Sequence, residues 1–156
     1  AAPDVDGALR ASAGRRLQTT LDMVWGYRQL ALHPERQELL ACVPRSGISF
    51  LLRVPFGPTS MPAILQDKNE TEFGSLRDAN SADPNRKICS VALDDLKISD
   101  KLFPDHVKRV NMVLQRAEDI GAEFSVAKSA FAAESVEHWG FLLSSEGRRP
   151  TPLIPD

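Results

Sequence analysis

Tyrosine occurs once in this chain, tryptophan twice and cysteine twice. Cys42 and Cys89 stand far apart with no paired spacing. That excludes a disulfide framework or a zinc site and leaves two buried free thiols as the expectation. Long apolar runs are missing as well. None approaches the roughly 18 residues that span a bilayer, and the first residues lack the charged-then-apolar layout of a signal peptide. An intracellular protein, cytoplasmic or nuclear, with no transmembrane segment and no membrane partner is expected. An excess of one charge sign is also absent: 19 Lys plus Arg face 21 Asp plus Glu, for a net charge of −2. Overall charge therefore gives no vote for nucleic acid, although a groove can still be locally basic. There is no repeat of fixed period and no low-complexity tract. What remains is an ordinary globular balance, 42% hydrophobic and 26% charged over 156 residues, enough for about one domain with a real core.

Within that balance one stretch stands out. Val91-Ala92-Leu93-Asp94-Asp95-Leu96-Lys97-Ile98 is an apolar run interrupted by two adjacent acids. A strand of this composition is expected to be buried, and a buried strand does not carry paired carboxylates unless something neutralises them. A hairpin whose turn holds Asp94 and Asp95 at the edge of a cleft, facing a divalent cation, resolves the conflict. In a regular strand the two would point to opposite faces, so a turn must twist them if both are to reach one ion. A hairpin tip with solvated acids is the alternative. Upstream, Leu17 to Met23 alternates like a strand and ends at Asp22, followed by the glycine turn Trp25-Gly26-Tyr27. Asp22 is thus a second candidate ligand, or an ordinary strand-end acid.

The remaining chain reads as interleaved strands and helices. Ala1 to Arg16 is a short helix or loop. Glu38 to Pro44 and Ile48 to Val54 form a hairpin turning at Arg45-Ser46-Gly47. Pro55 to Pro62 is a rigid loop delivered onto a helix that begins near Pro62 and continues through Phe73. Gly74 to Lys87 is a surface loop. Asp105 caps a helix whose apolar face is Val107, Val110, Val113, Leu114, Ala117 and Ile120, ended by Gly121. His106, Lys108, Arg109, Gln115, Arg116 and Asp119 belong to its solvated side. Glu123 to Val126 is a short strand, and Val136 to Leu143 is another that turns at Ser144 to Gly147. Thr151 to Asp156 reads as a chain stopping in mid-connection.

Taken in order, Leu21-Asp22-Met23-Val24-Trp25-Gly26-Tyr27-Arg28-Gln29-Leu30, Val54 through Gln66, Leu93-Asp94-Asp95, Lys128-Ser129-Ala130-Phe131 and Trp139 through Gly147 resemble the reverse transcriptase, or RNA-directed DNA polymerase, of gypsy-type long-terminal-repeat retrotransposons. The resemblance runs from about Pro3 to Pro152. It implies an α+β fold, a palm with an antiparallel sheet backed by helices and partial fingers. Residues 1–156 would be a fragment lacking the N-terminal fingers, thumb, ribonuclease H and integrase.

The implied chemistry is two-metal addition of a deoxynucleotide to a primer 3′ end, using Mg²⁺ or Mn²⁺. By resemblance the metal ligands are Asp22 and Asp94, with Asp95 the weaker third. Lys128 is a candidate acid for the leaving pyrophosphate, or else a surface lysine. Tyr27 looks like the aromatic gate against ribose, or else a core tyrosine. Phe56, Gly57 and Gln66 resemble nucleotide-binding positions. Ala92, His138, Trp139 and Gly140 occupy primer-binding positions, although Trp139 could equally be simple packing. The implied partners are an RNA or DNA template with its primer, and deoxynucleoside triphosphates. The chain departs from the family pattern at Ala92, where an aromatic is usual, and at Pro58, Met61, Leu65 and Phe141. Weak or absent polymerase activity is the expectation for this fragment. A non-catalytic nucleic-acid- or protein-binding remnant of the same fold is the alternative.

Overall fold

Leu17–Asp22 forms strand β1, the β-branched and alternating stretch noted above. The computed structural model describes residues 14–151 apart from Pro84 and Trp139, and describes His138 without its side chain. Most of Ala1 to Arg16, and all of Thr151 to Asp156 but its first residue, lie outside the described residues. After β1 come a 3-10 turn at Gly26–Gln29, the short helix α1 (Pro34–Gln37) and helix α2 (Met61–Asn69). Strands β2 (Cys89–Ala92) and β3 (Asp95–Asp100) follow, then helix α3 (Phe103–Ile120). Strands β4 (Ala130–Ala133), β5 (Ser135–His138), β6 (Phe141–Ser144) and β7 (Gly147–Pro150) complete the order.

The strands make two antiparallel sheets, β2-β3-β1-β4 and β5-β6-β7. Leu21 pairs with Leu96 and Val91 with Leu96, while Thr19 and Cys89 both pair with Ile98. By strand alternation all six share one face. That face packs on Phe73 from the π-helical turn Glu70–Gly74 and on Val110, Val113 and Ala117 from α3. The opposite face carries Asp22 and Asp95. A mixed fold with antiparallel sheets backed by helices is therefore observed, as expected.

Several local expectations are corrected. The helix α3 begins at Phe103, with Pro104 in its first turn; Asp105 lies inside that turn rather than capping it. Gly121 closes it in the left-handed region, at φ 68°. Val107 and Leu114 are exposed, whereas His106 and Arg109 are buried. The cause is Asp100, whose carboxylate sits inside the domain at the end of β3. A buried carboxylate needs donors and countercharge. His106 Nδ1 lies 3.0 Å from Asp100 Oδ2 and Nε2 lies 2.7 Å from Thr19 Oγ1, while Arg109 and Arg86 both pair with Asp100. Two more residues of the expected solvated face are also engaged, Lys108 with Asp78 and Arg116 with Glu72.

The expected hairpin over 38–54 is reduced. Glu38–Leu40 is a 3-10 turn, and single bridges join Cys42 to Ser49 and Ala31 to Arg53. Leu39, Val43, Ile48, Phe50 and Leu52 have no sheet to pack on and are exposed, which leaves a two-stranded ribbon too weak to zip fully. Cys42 is exposed with them, contrary to expectation; Cys89 is buried, and burial pushes its thiol up to about 12. Glu123 to Val126 contributes one bridge, Phe124 to Met23, instead of a strand. Val136 to Leu143 is broken after His138 into two strands of a hairpin, with Gly140 at φ 73°.

Candidate active site

The register of β1 against β3 places Asp22 directly opposite Asp95. On the other side of β3, Ala92 of β2 is also opposite Asp95, so the β2–β3 connection is the tight turn Leu93-Asp94. Leu93 has φ 55°, left-handed and unusual for a side chain branched at Cγ. The turn supplies the twist the sequence demanded: Asp94 leaves the strand alternation while Asp95 keeps it. The Met23 amide donates to the Asp94 carbonyl at 3.0 Å, which ties the residue after the first acid to the second. Gly26 fits against Asp94; a Cβ there would lie 3.0 Å from Asp94 Cβ and 3.4 Å from Leu65 Cδ2.

Electrostatics mark the three acids as one cluster. Burial, then the charges of Asp94 and Asp22, push the Asp95 carboxyl up to about 6, while Lys128 pulls it down. Lys128 Nζ stands 3.8 Å from Asp22 Oδ1 on an exposed side chain. The segment that presents it is pinned to β1: the Ser125 amide donates to the Asp22 carbonyl at 2.8 Å, and the Asp22 amide donates to Ser129 Oγ at 3.3 Å. Mutual repulsion among hard oxygen donors is what a divalent cation relieves. The donor set therefore fits Mg²⁺ or Mn²⁺. Among the described residues no set of three or more His, Cys, Asp or Glu side chains is arranged to hold an ion by itself. Mg²⁺ characteristically takes one or two carboxylates and completes its shell with water and substrate phosphates.

Tyr27 and Phe56 come together although 29 positions separate their numbers. Their rings meet edge to face at 5.3 Å and 76°, with Tyr27 half-buried and Phe56 exposed. Gly57 follows at φ 123°. Gln66 is placed differently from the sequence expectation. It is buried, and its amide is spent on the backbone of Val91 and Leu93, not turned toward a nucleotide. Ala92 is 4% exposed, so it offers no surface to a primer as it stands. His138 ends β5 and Gly140 lies in the following turn, remote in sequence from the acids; Trp139 is outside the described residues. Sequence reading missed the close fit of Gly26 and the buried Asn69, which bonds the same turn. A polar pair three residues apart on an otherwise apolar helix face was the available signal.

No family model matches this chain. Among curated proteins it is 31% identical over 138 residues to the retrovirus-related Pol polyprotein from transposon gypsy of Drosophila melanogaster, covering 86% of this chain and 12% of that protein. Over most of its own length the chain is thus similar to a segment of the gypsy-type retrotransposon Pol polyproteins. The Pol polyprotein from transposon opus, also of Drosophila melanogaster, is 25% identical over 150 residues, which is 96% of this chain and 14% of the relative. The chain spans only about an eighth of the length of those Pol proteins. Its fold is shared with the foamy viral protease-reverse transcriptase solved in complex with an RNA/DNA hybrid. That match has a TM-score of 0.82 at 21% identity, over 97% of this chain and 19% of the other. The same enzyme in complex with dsDNA aligns at TM-score 0.81. Among the described residues no helix is long and apolar enough to cross a membrane.

Proposed function

We propose that residues 1–156 are a palm fragment, with partial fingers, of an RNA-directed DNA polymerase acting inside the cell within a retrotransposon polyprotein. The observation that carries the reading is the convergence of Asp22, Asp94 and Asp95 at one end of the sheet, with Lys128 beside them. Its partners would be a primed RNA or DNA template, as in the foamy viral complexes, and deoxynucleoside triphosphates. Asp22 and Asp94 would hold Mg²⁺ or Mn²⁺, with Asp95 as the auxiliary. When bound, such ions supply Lewis-acid activation of the primer 3′-hydroxyl and charge neutralisation on the leaving pyrophosphate.

The chain's own groups do the rest. Asp95 stands opposite Asp22 in the sheet, its carboxyl raised by burial and by the charges of Asp94 and Asp22, and would complete the acid cluster as the auxiliary ligand. Lys128, exposed and 3.8 Å from Asp22 through its Nζ, would act as the acid for the leaving phosphate oxygen. The Tyr27 ring, braced by Phe56, walls the site where a ribose 2′-hydroxyl would sit. His138, Trp139 and Gly140 would touch the primer backbone from the second sheet. Polymerase activity of these residues by themselves would be weak or absent, because Ala92, Pro58, Met61, Leu65 and Phe141 depart from the family pattern.

The test is extension of a primed RNA template by the chain in Mg²⁺ or Mn²⁺, with Asp94→Asn in parallel and metal binding measured by calorimetry. Metal binding lost in Asp94→Asn, with little or no extension, is expected. Metal binding indifferent to Asp94→Asn overturns the reading. The second reading, a non-catalytic nucleic-acid- or protein-binding module on this fold, is favoured by the buried Ala92 where the family has an aromatic. It requires template binding that neither metal nor Asp94→Asn alters.

A further inference from the structure

The acids of this site are held in place by a helix that contributes no acid to it. Leu93 occupies the left-handed region at φ 55° without being glycine, a conformation that persists only where the surroundings over-determine it. The surroundings here are two side-chain amides of α2. The Leu93 N–H donates to Gln66 Oε1 at 2.7 Å, and Gln66 Nε2 donates to the Val91 carbonyl at 3.2 Å. Asn69 Nδ2 donates to the Leu93 carbonyl at 2.7 Å and lies 3.2 Å from Met23 Sδ.

Two features make this more than incidental packing. First, β2 is an edge strand, and an edge leaves alternate backbone groups without a ladder partner. The Gln66 carboxamide donates to one of those carbonyls and accepts from the amide two residues on, as a neighbouring strand's peptide would. Second, Asn69 touches both halves of the site. Met23 directly follows Asp22 and Leu93 directly precedes Asp94, so one buried amide spans the two segments that bear the principal carboxylates. Gln66 is 5% and Asn69 1% exposed, which rules out contact with solvent-borne substrate. One helical turn separates them, which puts both on the same face. Leu65 of the same helix lies against Gly26, which in turn lies against Asp94.

We propose that Gln66 and Asn69 are positioning residues that set the distance and orientation between Asp22 and Asp94 and thereby the affinity of this chain for a divalent cation. The proposal rests on the metal-binding reading above and adds the device that makes it work. It also reassigns Gln66 from a nucleotide contact to a support for the turn.

Gln66→Met and Asn69→Leu remove the amides at nearly constant volume. Two measurements on the intact chain test them. Hydrogen exchange at the Leu93 amide, read by NMR without metal, is expected to quicken about tenfold or more in Gln66→Met. Mn²⁺ affinity, measured by calorimetry beside Asp94→Asn, is expected to fall about tenfold in each variant that keeps a cooperative thermal melt. Where Gln66→Met does not fold, Gln66→Glu takes its place, keeping the acceptor for Leu93 and losing the donor to Val91; Mn²⁺ affinity is then expected to fall as well. A folded variant with unchanged Mn²⁺ affinity overturns the proposal. So does unchanged exchange at Leu93 in Gln66→Met. If the unaltered chain binds no Mn²⁺ that Asp94→Asn removes, the polymerase reading fails, and Leu93 exchange still shows whether the amides hold the turn.

Discussion

Asp95 and Asp100 stand at the two ends of strand β3, and their carboxyls shift in opposite directions. Asp95 is raised to about 6 by burial and by its acidic neighbours. Burial pushes Asp100 up too, but His106, Arg109 and Arg86 outweigh it and hold the carboxyl below its ordinary value. The signs of the pH dependence follow. A raised acid costs stability above its folded value, so in metal-free buffer Asp95→Asn stabilises the chain above pH 6. After allowance for solvent screening the gain is of order 1 kcal/mol, and it vanishes below about pH 4. A depressed acid contributes stability above its unfolded value and loses it as pH falls through the folded one. Asp100→Asn therefore costs about 3–5 kcal/mol near pH 7 and removes part of the acid destabilisation below about pH 4. Thermal melts of both variants from pH 3 to 8 check the two signs together. At Gly26 the limit is steric. Gly26→Ala places a methyl 3.0 Å from Asp94 Cβ, costing about 1–3 kcal/mol as a neighbour is displaced. Mn²⁺ affinity should weaken with it, and calorimetry on the folded variant reads that loss.

Among the elements, α2 and its π-helical extension join the core to the site. Phe73 is fully buried against the sheet, and Gln66 and Asn69 reach the acid turn from the same stretch of chain. Phe73→Ala is expected to cost about 3–5 kcal/mol, seen as a lower midpoint in urea unfolding. The cost would reach the site only through stability, since Phe73 packs in the core on the sheet face opposite Asp22 and Asp95. Helix α3 shows how far periodicity carries. Val110, Val113, Ala117 and the Gly121 cap were legible as a 3.6-residue stripe with a stop signal, because they depend on neighbours within the helix. His106 and Arg109 were misread as solvated, because what buries them is Asp100, a residue on another element whose inward direction no local pattern reveals. The two strands expected over residues 38–54 failed for a related reason: they have the composition of a hairpin but lack a sheet to join.

At the scale of the whole molecule the two faces of the segment from Tyr27 to Leu65 are unequal. Leu30, Val54 and Leu65 form a small core with Tyr27, Leu32 and Met61, while Ile48 and Leu52 are each 67% exposed nearby. An exposed apolar run of this kind promotes self-association. Replacing Ile48 and Leu52 together by lysine is expected to reduce dye binding and aggregation in light scattering, with little change in the melting temperature, because neither side chain is part of a core cluster.

What the sequence by itself determined about this protein is its chemistry and its order. Asp22, Asp94 and Asp95, the glycine turn before Tyr27 and the proline-rich entry to α2 are residue types in a linear arrangement, and they were enough to reach the acids and the gypsy-type resemblance. Only the tertiary structure decided which groups support them. The pairing of Asp22 with Asp95, the contact of Tyr27 with Phe56 and the grip of Gln66 and Asn69 on Leu93 join segments separated by tens of residues. Such contacts are set by strand register and by which backbone groups an edge strand leaves unpaired, and neither is encoded within any one stretch of the chain.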